Sequence, residues 1–264
     1  FSAISKILLG LSFCWPFVLL ARFIDRLGKG VRTSARDALI AESSNVSIRG
    51  RAFGFHRTLD TAGAILGPFL ALIALNFLSN NLRLIFFVSV IPTSIAILLL
   101  VFLIKDINKD INPSMAFRFN WQNIDPSYNI FLLISSIFAI GNSSDAFLIL
   151  RAQNLGLSLT LIMFAYILFN FTYAIFSIPA GIISDKMGAK NVLLTGFFIF
   201  SAVYLLFGLA NSSSYLWFLF PAYGIYMALT EGVGKAYISS LVPNEKSGTA
   251  IGLYQTTTGI CSFF

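Results

Sequence analysis

The side chains of this sequence able to do chemistry lie inside apolar stretches, where a charge is costly unless it is paired or faces water. Arg22, Arg26, Lys29 and Arg36 recur at spacings of four, three and seven residues, which puts them on one face of a helix. Asp25 sits among them, and Lys29, Arg32 and Arg36 approach the end of the segment. Further on, His56-Arg57-Thr58-Leu59-Asp60 gathers an imidazole, a guanidinium and a carboxyl. Asp145 and Glu231 are the acids within the later apolar runs. A desolvated carboxyl can hold a proton because burial raises its pKa, so either can couple proton movement to a change of shape. Glu231 has a second reading, an ion pair with Lys235 at the i,i+4 spacing that favours such pairs. Asn142, Asn170, Tyr223, Tyr226 and Gln255 offer neutral hydrogen bonds to a ligand or to neighbouring helices.

The elements that hold these groups follow from composition. The chain has 264 residues, 57% hydrophobic and 11% charged, where soluble domains average roughly 45–50% and about 25%. So few ionisable groups cannot cover a globular surface, which sets aside water-soluble enzymes, nucleic-acid modules and secreted scaffolds. Cys14 and Cys261 both lie in apolar runs and imply neither a disulfide framework nor a metal site. A single histidine excludes a His-cluster metal centre, and no cofactor is expected. The net charge of +7 is assigned to one face of a lipid bilayer rather than to nucleic acid.

Runs of about 20 mostly apolar residues mark transmembrane helices. Seven complete spans are expected, at 13–41, 51–78, 82–104, 128–152, 159–184, 191–210 and 214–241, with partial spans at 1–11 and 247–264. The polar stretch 105–127 reads as a linker between two halves, 1–104 and 128–264. Alternate connections carry Arg36, Arg49 and Arg51, then Lys105, Lys109 and Arg118, then Lys186 and Lys190, then Lys235 and Lys246. Short cytoplasmic loops are enriched in such cations, so the linker and these loops are expected in the cytoplasm. Antiparallel pairing of the second and third segments, with a turn near Val46, sets Asp60 level with Arg32 and predicts a contact between them.

Comparing the chain with itself places Gly50-Arg51-Ala52-Phe53-Gly54-Phe55-His56 on Gly248-Thr249-Ala250-Ile251-Gly252-Leu253-Tyr254, a shift of 198 residues that also carries Ala38 and Ile40 onto Ala236 and Ile238. A duplication of that length spans six helices and points to a twelve-span parent, of which the chain would hold the end of span three through part of span eleven. Both ends fall inside apolar segments, as expected of a chain truncated at both ends.

Several motifs resemble the major facilitator superfamily. Gly181-Ile182-Ile183-Ser184-Asp185-Lys186-Met187-Gly188-Ala189-Lys190 is similar to its Gly-x-x-x-Asp-Arg/Lys-x-Gly-x-Arg/Lys loop signature, with Ala189 where the family usually has Arg. Glycine there allows close helix approach, and the acid can face a neighbouring helix N-terminus. Gly63-Ala64-Ile65-Leu66-Gly67-Pro68 resembles the Gly-x-x-x-Gly-Pro element of the family's antiporters, small residues for tight packing and Pro68 for a bend. Arg22 followed by Gly28 and Gly30 is similar to the fourth-span motif, and Gly141-Asn142-Ser143-Ser144-Asp145 with Arg151 looks like the seventh span of a bacterial branch.

The resemblance implies an all-α integral membrane protein, a partial major facilitator fold of two helical bundles related by a pseudo-two-fold axis, resident as a monomer in a bacterial inner membrane. It implies a secondary transporter of the drug/proton-antiporter type that moves a small solute by alternating access, with a proton or another ion as coupling partner. Two alternatives are a membrane-embedded enzyme and a sensor that binds solute without moving it. His56 and Asp60 are one residue too close for an acyltransferase His-x4-Asp pattern, and no HExxH or Gly-x-Ser-x-Gly occurs.

Overall fold

The computed structural model describes residues 2–77, 82–103, 125–142 and 145–262, and every regular element among them is helical. Most of the expected linker 105–127 lies outside the described residues. The helices are α1 (Ser2–Gly10), α2 (Trp15–Ser43), α3 (Arg49–Phe77), α4 (Leu82–Val88), α5 (Val90–Leu103), α6 (Pro126–Gly141), α7 (Asp145–Asn154), α8 (Leu159–Met187), α9 (Ala189–Leu209), α10 (Leu216–Leu241) and α11 (Ser247–Cys261). Among the described residues four stretches are long and apolar enough to cross a membrane: Leu84–Leu103, Pro126–Asn154, Leu159–Met187 and Ala189–Leu209. The other long helices, α2, α3 and α10, together carry most of the charged residues found in helices.

Two spans expected to be continuous are interrupted. The segment 82–104 breaks at Ser89, whose hydroxyl donates to the Phe86 carbonyl at 2.7 Å, and Pro92 just beyond has no N–H to continue the ladder. The segment 128–152 breaks at Asn142, the cap of α6, whose backbone turns out of the helix at φ −86°, ψ 93°. Elsewhere the ends follow local chemistry. Asp125 caps α6 by accepting from the Ser127 N–H at 2.8 Å, with Pro126 in the first turn. Gly188 joins α8 to α9 at φ 88°, a left-handed conformation that glycine adopts without steric cost.

The chain divides into two compact units that cut across the sequence halves: the described residues of Phe1–Ala35 and Gly67–Asn120 form one, and those of Arg36–Leu66 and Trp121–Phe264 the other. In the first, α1 packs on α4 and α5. In the second, α10 lies against α8 and α9, and α11 against α6. A continuous apolar core runs through this second unit, from Ala41 and Phe53 to Phe169, Phe200, Tyr223 and Ile251. Outward-facing Phe, Leu and Ile side chains cover much of both units, the surface that lipid solvates.

Candidate functional site

Two polar clusters flank α10 in the second unit. At the end where α3 begins and α8 and α10 finish, Asp37 is completely buried. Its Oδ2 accepts from Lys235 Nζ at 2.8 Å and from Gln255 Nε2 at 3.0 Å, while its Oδ1 accepts from Arg36 at 3.1 and 3.2 Å. A buried carboxylate survives only with such partners. Positions 37 and 235 differ by the same 198 residues as the internal repeat, so this pair joins equivalent points of the two halves.

One layer along α10, Arg57 of α3 bridges several groups. Its Nη2 meets Glu231 Oε2 at 2.8 Å, its Nη1 meets Asp60 Oδ2 at 3.2 Å, and its Nε donates to the Tyr173 hydroxyl. Thr58 Oγ1 donates to the Ala174 carbonyl at 2.9 Å. His56 lies half-buried within electrostatic reach of Arg36, Asp37, Asp60 and Lys235.

The same helices touch backbone to backbone. Gly50 packs on Gly181 and Ser184, and Gly54 on Ser177, leaving no room for a Cβ at any of these glycines. This is a small-residue crossing of the kind that lets membrane helices approach closely. Asp185 locks it: Oδ1 accepts from the Gly50 N–H at 2.7 Å and Oδ2 from the Arg51 N–H at 2.9 Å, a carboxylate on the positive end of α3. Arg49, buried beside it, donates to the Ser239 carbonyl and to Asn244 Oδ1, and burial lowers its guanidinium pKa from the ordinary value.

Toward the other end of α10, aromatic rings replace ion pairs. Tyr223 donates to Asp145 Oδ1 at 2.8 Å, and Asn142 Nδ2 donates to the Tyr226 hydroxyl at 3.4 Å. Asn142 Oδ1 is buried and has no hydrogen-bond partner among the described residues. Tyr223 and Tyr226 stand 5.2 Å apart between centroids, with Phe200 4.9 Å from Tyr226 and 4.2 Å from Tyr204. Asn170 is not part of this polar group: its Nδ2 returns to the Tyr166 carbonyl of its own helix at 2.9 Å.

Several expected residues are therefore brought together, in pairings the spacing did not give. Glu231 binds Arg57 rather than Lys235, because Lys235 is taken by the buried Asp37. Asp60 binds Arg57 one turn before it, while Arg32 belongs to the first unit. Arg26 and Arg32 are exposed and form no ion pair or hydrogen bond among the described residues, whereas Asp25 accepts from Ser5 Oγ at 3.2 Å. Lys186 and Lys190 are exposed beside Gly188. Among the described residues nothing lies within 4 Å of a Cβ built at Gly63 or Gly67, whereas Gly50, Gly54 and Gly181 make close helix contacts. Asp37 and Tyr173 escaped sequence reasoning. A signal for Asp37 was available in the repeat, whose shift of 198 residues sets position 37 on Lys235.

Comparison with known proteins agrees with this architecture. The profile of the Major Facilitator Superfamily matches residues 1–150 and 128–264. An uncharacterized MFS-type transporter of Methanocaldococcus jannaschii is 38% identical over 267 residues, covering 99% of this chain and 67% of its own length. Uncharacterized proteins of Mycobacterium bovis and Mycobacterium tuberculosis are each 22% identical over 246 residues, covering 89% of this chain. The chain spans 59% of the length of these mycobacterial relatives. By the match along its whole length and by its helical, membrane-embedded build, this chain belongs to the Major Facilitator Superfamily of membrane transporters.

Proposed function

We propose that the chain is the greater part of a secondary transporter that moves a small solute by alternating access with proton coupling, and that the cluster around Asp37 and Arg57 is a gate closed at one membrane face. In this reading residues 1–104 belong to one bundle, 128–264 to the other, and the linker 105–127 lies in the cytoplasm of a bacterial inner membrane. The monomer is the working unit.

One observation carries the reading. Residues 36–66, from the first half of the sequence, are held to the C-terminal helices by Asp37–Lys235, Arg57–Glu231, the Asp185 cap and the Gly50–Gly181 crossing, all at the same end of α10. Ion pairs and small-residue contacts of this kind can exchange partners, as rocking of one bundle against the other requires, and in that motion Ala41 and Phe53 would leave the apolar core they share with the C-terminal helices. Glu231 suits the coupling role, since its side chain keeps 37% of its exposure and can meet an incoming proton, unlike Asp37 at 0%. Neutralising Glu231 would remove its ion pair with Arg57, leaving Arg57 to Asp60 and Tyr173, and so loosen the gate.

The test uses the full-length protein in liposomes with a pH-sensitive dye inside. A panel of carboxylates, phosphates and organic amines is first screened by thermal shift, and those that bind are applied under an imposed pH gradient. Solute-dependent proton movement is expected, and is expected to be lost in E231Q or D145N. Solute flux that is unchanged by the gradient and by both substitutions would refute proton coupling through these acids.

A further inference from the structure

A cavity of about 230 Å³ opens in the first unit, away from the residues assigned to the gate. Its lining includes Ser5, Lys6, Arg22, Asp25, Phe86 and Ser89. The gate and the aromatic cluster use none of these groups.

We propose that this cavity is an anion subsite, in which Lys6 and Arg22 hold one carboxylate or phosphate group. The charges decide the sign: two cations face one acid, and the acid already accepts from Ser5 Oγ at 3.2 Å. Lys6 Nζ donates to the Ser89 carbonyl at 3.2 Å and to Thr93 Oγ1. An ammonium has three N–H donors, so one is left to point at a ligand. Arg22 makes no ion pair or hydrogen bond among the described residues, which leaves its planar fork of donors open.

Arg22 is an exposed side chain that lines the cavity seven residues into α2. Its guanidinium is open to a ligand there, and an oxyanion supplies both the opposite charge and the acceptors its donors fit. Size narrows the ligand. The volume equals about eight waters at roughly 30 Å³ each, room for a phosphate or carboxylate group but below the roughly 300–1,000 Å³ of drug-sized sites. The group can belong to a lipid headgroup or to a soluble solute, and the inference stands whether or not transport is proton-coupled.

Thermal unfolding of the full-length protein in neutral detergent separates the sources. Inorganic phosphate is compared with chloride at equal ionic strength, and native mass spectrometry compares retention of phosphatidylglycerol with phosphatidylcholine. Stabilisation by phosphate alone identifies a soluble oxyanion, and selective retention of phosphatidylglycerol alone identifies a lipid headgroup. In either case R22Q and K6Q are each expected to weaken binding roughly tenfold or more, as loss of a charge-assisted hydrogen bond does. Where R22Q does not fold, R22K keeps the charge and removes the fork, and several-fold weaker binding is expected. The proposal is overturned if neither probe acts on the wild type, or if the substituted proteins that fold bind as well as the wild type does.

Discussion

The two ends of α10 are built on different principles. Near Tyr223 and Tyr226 the helix is packed among aromatic rings drawn from α6, α8 and α9: Phe138 and Phe200 touch each other and Tyr226, and Phe169 lies against Tyr223. Near Glu231 and Lys235 it is held by ion pairs to Arg57 and Asp37, which lie on helices of the first half of the sequence. Aromatic packing has many small contributions and opposes any separation, whereas an ion pair has a specific geometry that can be exchanged for water or another partner. On the proposed gate, the contrast separates the end of α10 that stays together from the end that parts.

That contrast can be broken most directly at Asp37. D37A leaves the Lys235 ammonium buried without its carboxylate, and removal of one partner of a buried pair costs about 3–5 kcal/mol. The expected result is a large drop in melting temperature, largely restored in D37A/K235A. With Cys14 and Cys261 replaced by serine, a cysteine placed at Ser177 in the Gly54 crossing should also react faster with a thiol reagent in D37A. Restored stability with slow labelling in the single variant would argue against a gate.

At the aromatic end, F200A removes a ring that touches Phe138, Tyr204 and Tyr226. A loss of about 3 kcal/mol is expected, with labelling at position 177 unchanged. Faster labelling in F200A, equal to that in D37A, would dissolve the distinction between the two ends. A smaller effect is expected from G50A, whose new methyl meets Ser184 and the Gly181 carbonyl. Overpacking costs about 1–3 kcal/mol, and here it should appear chiefly as faster labelling, because the crossing can part while both halves stay folded.

The smallest effect is expected at Asp125, on the exposed start of α6. Hydrogen bonds from the Ser127 hydroxyl and N–H hold its carboxyl pKa below the ordinary 3.8. A carboxyl whose pKa falls on folding stabilises the folded state above its unfolded pKa and loses that contribution as pH drops through the folded value. D125A should therefore fray the first turn of α6 at neutral pH, and its difference from the wild type should vanish in acid below that window. Hydrogen exchange at the Ser127 and Tyr128 amides checks both.

Much of the architecture was legible in the pattern of apolar runs, because a bilayer demands about 20 such residues and leaves a helix few alternatives. The breaks at Ser89 and Asn142 were not, since a polar residue in a long apolar run is equally compatible with a continuous helix. The pairing of charges was the hardest part to foresee. Glu231 and Lys235 have ideal spacing on one helix, yet each pairs outside it, because Asp37 is more deeply desolvated and requires the ammonium more strongly. Nothing in the sequence ties Lys6, alone in an apolar stretch, to Arg22; the packing of α1 and α2 brings both to one cavity.

By itself, the sequence determined that the chain is helical, apolar enough for lipid and marked by a superfamily's loop signature, and it pointed to an internal repeat, all through local composition and spacing. Only the tertiary structure decided which charges meet, which glycines carry the close crossing, and that residues 36–66 pack with the C-terminal helices. Partner choice between buried groups depends on desolvation and distance, and both exist only once the helices have come together.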